Sequence, residues 1–270
     1  MAKLLLGKPV ADVIYAEIEN TAAPLKLATV GLTSPEWHQY VGSLTRSGEK
    51  RGVTVENIVA DSGITPAEFC ALVKAVCARQ DVNGVLLQQP LPRDYQAAKN
   101  ALDPAKDVDC LTTVNAARLY LGEDCIAPAT PTAVINLLDY YGVELTGKNV
   151  VIIGRSNTVG KPLALLMLRR NATVTVCHTK TVNLPDICRR ADIIVSACGS
   201  PGLVTADFVT PHSVVVDVGL SFVNGKTCGD VSEDVQTIAA AISPVPGGVG
   251  PVTVATLFQN LLKKSTDWKK

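Results

Sequence analysis

Residues 149–162 read Asn-Val-Val-Ile-Ile-Gly-Arg-Ser-Asn-Thr-Val-Gly-Lys-Pro, and no other stretch restricts the possible folds of this chain as much. Four consecutive β-branched residues, Val150 to Ile153, predict a buried strand. Gly154 then allows a sharp turn and close approach of backbone to a ligand, because it has no Cβ. Gly160 and Pro162 mark a helix start, where proline gives up an N–H that lacks a partner anyway. A helix beginning here is expected to aim free N–H groups and its positive dipole end at a pyrophosphate. Gly154, Arg155, Ser156, Val159 and Gly160 are therefore candidate nucleotide-binding residues. The spacing is glycine, five residues, glycine rather than G-x-G-x-x-G, and an ordinary strand-to-helix turn has the same local pattern.

Size and charge limit the rest. The 270 residues are 47% hydrophobic, enough for two ordinary domains with cores of their own. Lys+Arg and Asp+Glu are equal at 25 each and form no long run, which leaves no electrostatic footprint for nucleic acid or an anionic membrane. The tail lysines Lys263, Lys264, Lys269 and Lys270 are too sparse to change that. The eight cysteines include no C-x-x-C pair and read as reduced, mostly core thiols. His38, His178 and His212 have no ligand-like spacing, so no metal is expected. The chain has neither a signal-like start nor an apolar run of about 18 residues, which gives a cytoplasmic expectation with no membrane partner.

Helix and strand patterns alternate along the whole chain, implying an α/β fold with parallel sheets. Helical periodicity covers 9–20, 39–51 (ended by Gly52), 65–78 with Pro66 in its first turn, and 132–141. Strands are expected at 25–31, 53–59, 84–87, 173–177, 192–196 and 213–218. Gln88-Gln89-Pro90-Leu91-Pro92 must be extended, and it follows a parallel strand at the end where open α/β sheets hold ligands. A final helix, about 252–264, follows the glycine-rich Pro244 to Pro251. The expected division is a first domain over 1–125, completed by a C-terminal helix within 252–270, and a nucleotide-binding domain over 126–251.

The strand after the glycine loop normally ends in an acid that holds the ribose 2′-hydroxyl of NAD. Here it ends Cys177-His178-Thr179-Lys180, without a carboxylate, while Arg155, Thr179 and Lys180 suit a 2′-phosphate. NADP is thus favoured over NAD, although Arg155 or Lys180 taken singly also fits a solvated surface charge. Asp217 and Asp230 lie at strand ends, where a turn or capping role competes with a catalytic one.

Several segments together resemble the bifunctional 5,10-methylenetetrahydrofolate dehydrogenase/cyclohydrolase family. They are Gly154 to Pro162, Ala172 to Thr181, Lys106-Asp-Val-Asp109, Gln88 with Pro90-Leu-Pro92, Gly229-Asp-Val231 and Pro244-Val-Pro-Gly-Gly-Val-Gly-Pro251. They occur in family order across almost the whole chain. The resemblance implies a Rossmann-like NAD(P) domain, a substrate domain built from both chain ends, a folate cleft between them and a homodimer. It implies that Tyr40 stacks on the folate, that Gln88 lies beside the one-carbon centre and that Asp109 hydrogen-bonds the pterin. It also implies that Gly248 to Pro251 close over folate and nicotinamide, and that His178 belongs to the cofactor set.

In the family a catalytic lysine stands four residues after this tyrosine; here the position is Leu44. A spacing of four is expected to set Leu44 on the face of Tyr40, where it can neither donate nor carry a proton. Glu36-Trp37 replaces two small residues, Gln89 replaces leucine and Cys110 replaces glycine. The expectation is an NADP-dependent dehydrogenase acting in one-carbon metabolism, with the cyclohydrolase step weak or absent. The alternatives are a fully bifunctional enzyme, a two-domain dehydrogenase of a small cyclic acid, and a non-catalytic folate or nucleotide sensor.

Overall fold

The computed structural model describes residues 1–20, 24–61, 63–223 and 225–267. Lys269 and Lys270 lie outside them, as does the side chain of Glu36. In chain order the first half forms β1 (Lys3–Leu4), α1 (Gly7–Glu19), β2 (Leu25–Leu32), α2 (Pro35–Glu49), β3 (Val53–Ala60), α3 (Pro66–Ala78), β4 (Gly84–Leu87) and α4 (Thr113–Leu121). The second half forms α5 (Ala129–Tyr140), β5 (Asn149–Ile153), α6 (Gly160–Arg169), β6 (Thr173–Cys177), α7 (Leu184–Arg189), β7 (Ile193–Ser196) and β8 (Val214–Asp217). It ends with the short strands β9 (Ser221–Val223), β10 (Lys226–Cys228) and β11 (Ala241–Ser243), then α8 (Val249–Asp267).

Two compact units result: Met1–Val13 with Thr130–Thr256, and Ile14–Ala129 with Leu257–Lys270. This departs from the expected division at the N-terminus. Residues 1–13 group with the unit that carries the glycine loop, because β1 pairs in parallel with β11, Lys3 opposite Ala241. Two residues with no apolar alternation give no local signal for such a strand.

The unit with the glycine loop holds a six-stranded sheet in the order β1-β11-β8-β7-β5-β6, every pairing parallel. β5 lies between β6 and β7, so the crossovers leave it in opposite directions. That reversal is where open α/β sheets form a ligand crevice at their carboxyl ends. Val151, Ile153, Ile194, Val215 and Ile242 from the central strands share one buried cluster with Phe208, as the near-continuous apolar strands of a two-sided parallel sheet require.

The other unit is built on a three-stranded parallel sheet, β3-β2-β4. Ala28, Val30, Val85 and Leu87 pack there against Phe69 and Val73 of α3. Thr65 caps α3 in a capping box with Glu68, and Pro66 begins the helix. Expected helix 39–51 proves to be α2, which starts at Pro35. Ser34 caps it by accepting the Trp37 N–H, so Trp37 is a helical residue.

Candidate functional site

The candidate residues divide between the two units. In the unit of the three-stranded sheet, Val30 of β2 lies opposite Leu87 of β4, which brings Gly31 and Leu32 beside Gln88 at the strands' carboxyl ends. Gln88 is buried, and its Oε1 accepts the Leu32 N–H at 2.6 Å. That bond fixes which way the amide points and turns its Nε2 toward Ser34 Oγ, 3.5 Å away. Gln89 turns inward on itself, donating from Nε2 to the Gln88 carbonyl at 2.6 Å.

Helix α2 buries Trp37, Val41, Leu44 and Gly48, a stripe at the three- and four-residue spacing of a core face. Tyr40 flanks that stripe and is 37% exposed, whereas Leu44 is 0% exposed. A four-residue step turns the helix about 40° past a full circle, so the two are neighbours on the helix surface, with Leu44 deeper in the core stripe and Tyr40 at its margin. The rings of Trp37 and Tyr40 lie 5.9 Å apart at 36°. Trp37 rests on Gly31, where an added Cβ would fall 2.4 Å from the indole nitrogen and 2.9 Å from Gln88 Oε1.

Lys106 to Asp109 runs beside β4, with the Val85 N–H donating to the Lys106 carbonyl at 2.7 Å. The two acids of this segment have different tasks. Asp107 is fully buried and accepts from Leu111 N, from Thr112 N and Oγ1, and from Asn115 Nδ2, all within 3.0 Å. It thereby shapes the loop and starts α4, a role the sequence did not single out. Asp109 accepts one bond on Oδ1, from Ala129 N at 2.8 Å. Burial pushes its pKa up to about 7; the Ala129 bond opposes this and the Asp107 charge adds to it. Burial also raises the Tyr40 phenol above its ordinary range, with the charge of Asp109 a further cause. Cys110 takes φ 55°, a left-handed conformation that glycine adopts without strain.

In the other unit, Gly154 adopts φ 128°, and an added Cβ would meet the Ala197 carbonyl oxygen at 2.4 Å. A Cβ on Gly160 would lie 2.0 Å from the Gly154 oxygen. Both glycines are thus required by the packing of the turn itself, whatever binds there. The expectation of free N–H groups at the start of α6 also needs correction. Ser156 Oγ accepts from Val159 N at 3.0 Å and Gly160 N at 3.4 Å, Lys161 N donates to the Ser156 carbonyl at 3.1 Å, and Pro162 has no N–H. Ile153 and Cys177 are register partners, so Arg155 and the His178 turn leave the carboxyl ends of adjacent strands. His178 Nδ1 accepts the Lys180 N–H at 3.1 Å, while Arg155, Thr179 and Lys180 are exposed.

Gly248 packs as closely: a Cβ on Gly7 would fall 1.8 Å from its carbonyl oxygen. Pro251 lies in the first turn of α8. Asp217 and Asp230 are both buried and hold turns. Asp217 accepts from Gly219 N, Asp230 N and Val231 N, each at 3.0 Å. Asp230 accepts from Ser196 Oγ, Cys198 N and Ser200 N. Burial raises the Asp217 pKa to about 6 against its three N–H bonds. All eight cysteines are free, and Cys198 is exposed rather than in the core. Among the described residues no group of His, Cys, Asp and Glu could hold a metal ion, and no helix is long and apolar enough to cross a membrane.

Residues 5–109 match the family model for the tetrahydrofolate dehydrogenase/cyclohydrolase catalytic domain, and residues 128–268 match that for the NAD(P)-binding domain. The chain is similar to the bifunctional protein FolD of Clostridium perfringens, with 41% identity over 275 residues that cover 98% of this chain and 99% of that protein. The crystal structure of the bifunctional enzyme FolD from Campylobacter jejuni superposes with a TM-score of 0.95 at 35% identity, covering 99% of this chain and 100% of the other. The Trypanosoma brucei methylenetetrahydrofolate dehydrogenase-cyclohydrolase, crystallised with NADP cofactor and an inhibitor, does so with a TM-score of 0.92 at 33% identity, covering 100% and 99%. The chain belongs to the tetrahydrofolate dehydrogenase/cyclohydrolase family.

Proposed function

We propose that this chain is an NADP-dependent 5,10-methylenetetrahydrofolate dehydrogenase whose cyclohydrolase activity is weak or absent. The observation that carries the proposal is Leu44. It occupies the position of the family lysine with no exposed surface and no group able to move a proton. Hydride departure from the methylene carbon is driven by the lone pair of the adjacent nitrogen, so the protein's main task is orientation. Hydrolysis of the resulting methenyl cation requires an activated water and proton transfers, which a placed acid–base group speeds by about 10² to 10⁴.

When bound, NADP supplies the hydride acceptor. In this reading the unit with the six-stranded sheet holds the nucleotide at the Gly154 loop, through Arg155, Ser156, Val159, Gly160 and the His178-Thr179-Lys180 turn. The absence of a carboxylate at the end of β6, and the adjacency of Arg155 to that turn, support NADP over NAD. The other unit holds the folate: Tyr40 stacks on it, Gln88 faces the one-carbon centre and Asp109, whose carboxyl is raised to about 7 by burial, hydrogen-bonds the pterin. Gly248 and Pro251, in the unit with the six-stranded sheet, let the backbone approach the nicotinamide. We further propose a cytoplasmic homodimer. Phe222 of β9, 59% exposed, and the neighbouring Leu220, 64% exposed, supply apolar surface suited to a second subunit.

Two absorbance assays test the activity. With methylenetetrahydrofolate, NADP should be reduced and NAD should be a poorer substrate; with methenyltetrahydrofolate, the enzyme should barely hasten decay. Brisk enzyme-dependent decay would make the protein fully bifunctional. No NADP reduction despite binding of both ligands would make it a sensor.

A further inference from the structure

Trp37 is 5% exposed, and its Nε1–H has no hydrogen-bond partner. An N–H buried without an acceptor costs free energy, so native proteins nearly always pair such groups. The protein groups nearby do not resolve it. Gln88 Oε1, which borders Gly31 on the same side as the indole, accepts the Leu32 N–H, and Ser34 Oγ already accepts the backbone N–H of Trp37. The orphan donor lies at the carboxyl ends of β2 and β4, beside Gln88 and with its ring against Tyr40. A donor left unpaired where the surrounding polar groups are fixed is a feature of a site completed by its ligand.

We infer that Trp37 is a substrate-binding residue whose indole N–H donates to an acceptor atom of the reduced folate, a carbonyl oxygen or a lone-pair nitrogen. This rests on the proposed folate activity. An indole N–H is a donor only and far too weak an acid to serve as an acid–base catalyst at neutral pH, so Trp37 supports the orientation that hydride transfer needs and does nothing for hydrolysis.

The chain has two tryptophans, so an ¹⁵N-labelled sample gives two indole cross-peaks, and Trp37→Phe identifies one of them. Adding tetrahydrofolate to wild type should move the Trp37 indole proton downfield and slow its exchange with water, while NADP alone should not. In Trp37→Phe the KM for methylenetetrahydrofolate should rise about tenfold, or ~1.4 kcal/mol, with kcat and the KM for NADP within about twofold. Replacing Trp37 with 3-benzothienylalanine, which keeps the ring volume and removes the N–H, should reproduce the KM effect if the phenylalanine variant folds poorly. If tetrahydrofolate raises the melting temperature of wild type but leaves the Trp37 peak in place, or if both variants keep the wild-type KM, the inference is overturned and the folate reading stands. If wild type shows no response to tetrahydrofolate, both are overturned.

Discussion

Asp109 Oδ1 accepts the backbone N–H of Ala129 at 2.8 Å, tying the last residue of the Lys106–Asp109 segment to the first residue of α5. Burial still raises this carboxyl to about 7 from an ordinary value of 3.8. The folded chain therefore binds more protons than the unfolded chain between about pH 4 and 7, and stability should fall as pH rises through that window and level off above it. Asp217, raised to about 6, adds to the fall over its lower part. Asp109→Asn keeps an acceptor for Ala129 but carries no charge. Its melting temperature should exceed that of wild type at pH 8 and match it at pH 4. Parallel melting curves for the two proteins across pH 4–8 would refute the assignment.

Leu44→Lys places an amine in a fully buried position. Desolvation lowers a buried lysine's pKa toward neutrality, which suits proton transfer. Decay of methenyltetrahydrofolate should accelerate at least about tenfold, within the range of acid–base assistance, while the melting temperature falls. Leu44→Met, of similar volume, should leave hydrolysis unchanged. An unaltered rate in the lysine variant would mean that the pocket lacks more than an amine.

Arg155 and Lys180 leave adjacent strand ends as exposed cations. Arg155→Ala and Lys180→Ala should each raise the KM for NADP about tenfold, as expected for loss of one charge-assisted bond, and change the KM for NAD little. Equal effects on both cofactors would show that neither side chain meets the 2′-phosphate.

Ser156 Oγ is the acceptor for the first N–H groups of α6. Ser156→Ala should remove about 1 kcal/mol and lower the melting temperature by roughly 2–4 °C in a chain of this size, with Ser156→Thr close to wild type. Gly160→Ala should be far more damaging, since its Cβ would lie 2.0 Å from the Gly154 oxygen. Calorimetry on the three variants checks the order, and a harmless Gly160→Ala would contradict the turn's geometry.

Locally coded features were legible before folding. Strands 84–87 and 173–177 occur where their β-branched and apolar runs lie, and the Thr65-Pro66 start of α3 follows from capping chemistry. The Ser34-Pro35 start of α2 is equally local, a capping side chain followed by proline, and lies four residues before the expected helix start. The different tasks of Asp107 and Asp109 were not legible. Asp107 becomes a loop organiser because four donor groups meet it within 3.0 Å, and Asp109 a raised-pKa acid because burial outweighs its one bond from Ala129.

The sequence by itself determined the alternating α/β plan, the glycine turn after β5 and the presence at position 44 of a side chain unable to carry a proton, since each depends on residue type and short spacing. Tertiary structure decided the rest. It assigned residues 1–13 to the glycine-loop unit through the pairing of Lys3 with Ala241. It set Leu44 deeper in the core than Tyr40 and left the Trp37 N–H without an acceptor. These outcomes depend on contacts between residues distant in the chain and on small helical rotations, which no local pattern of residue types encodes.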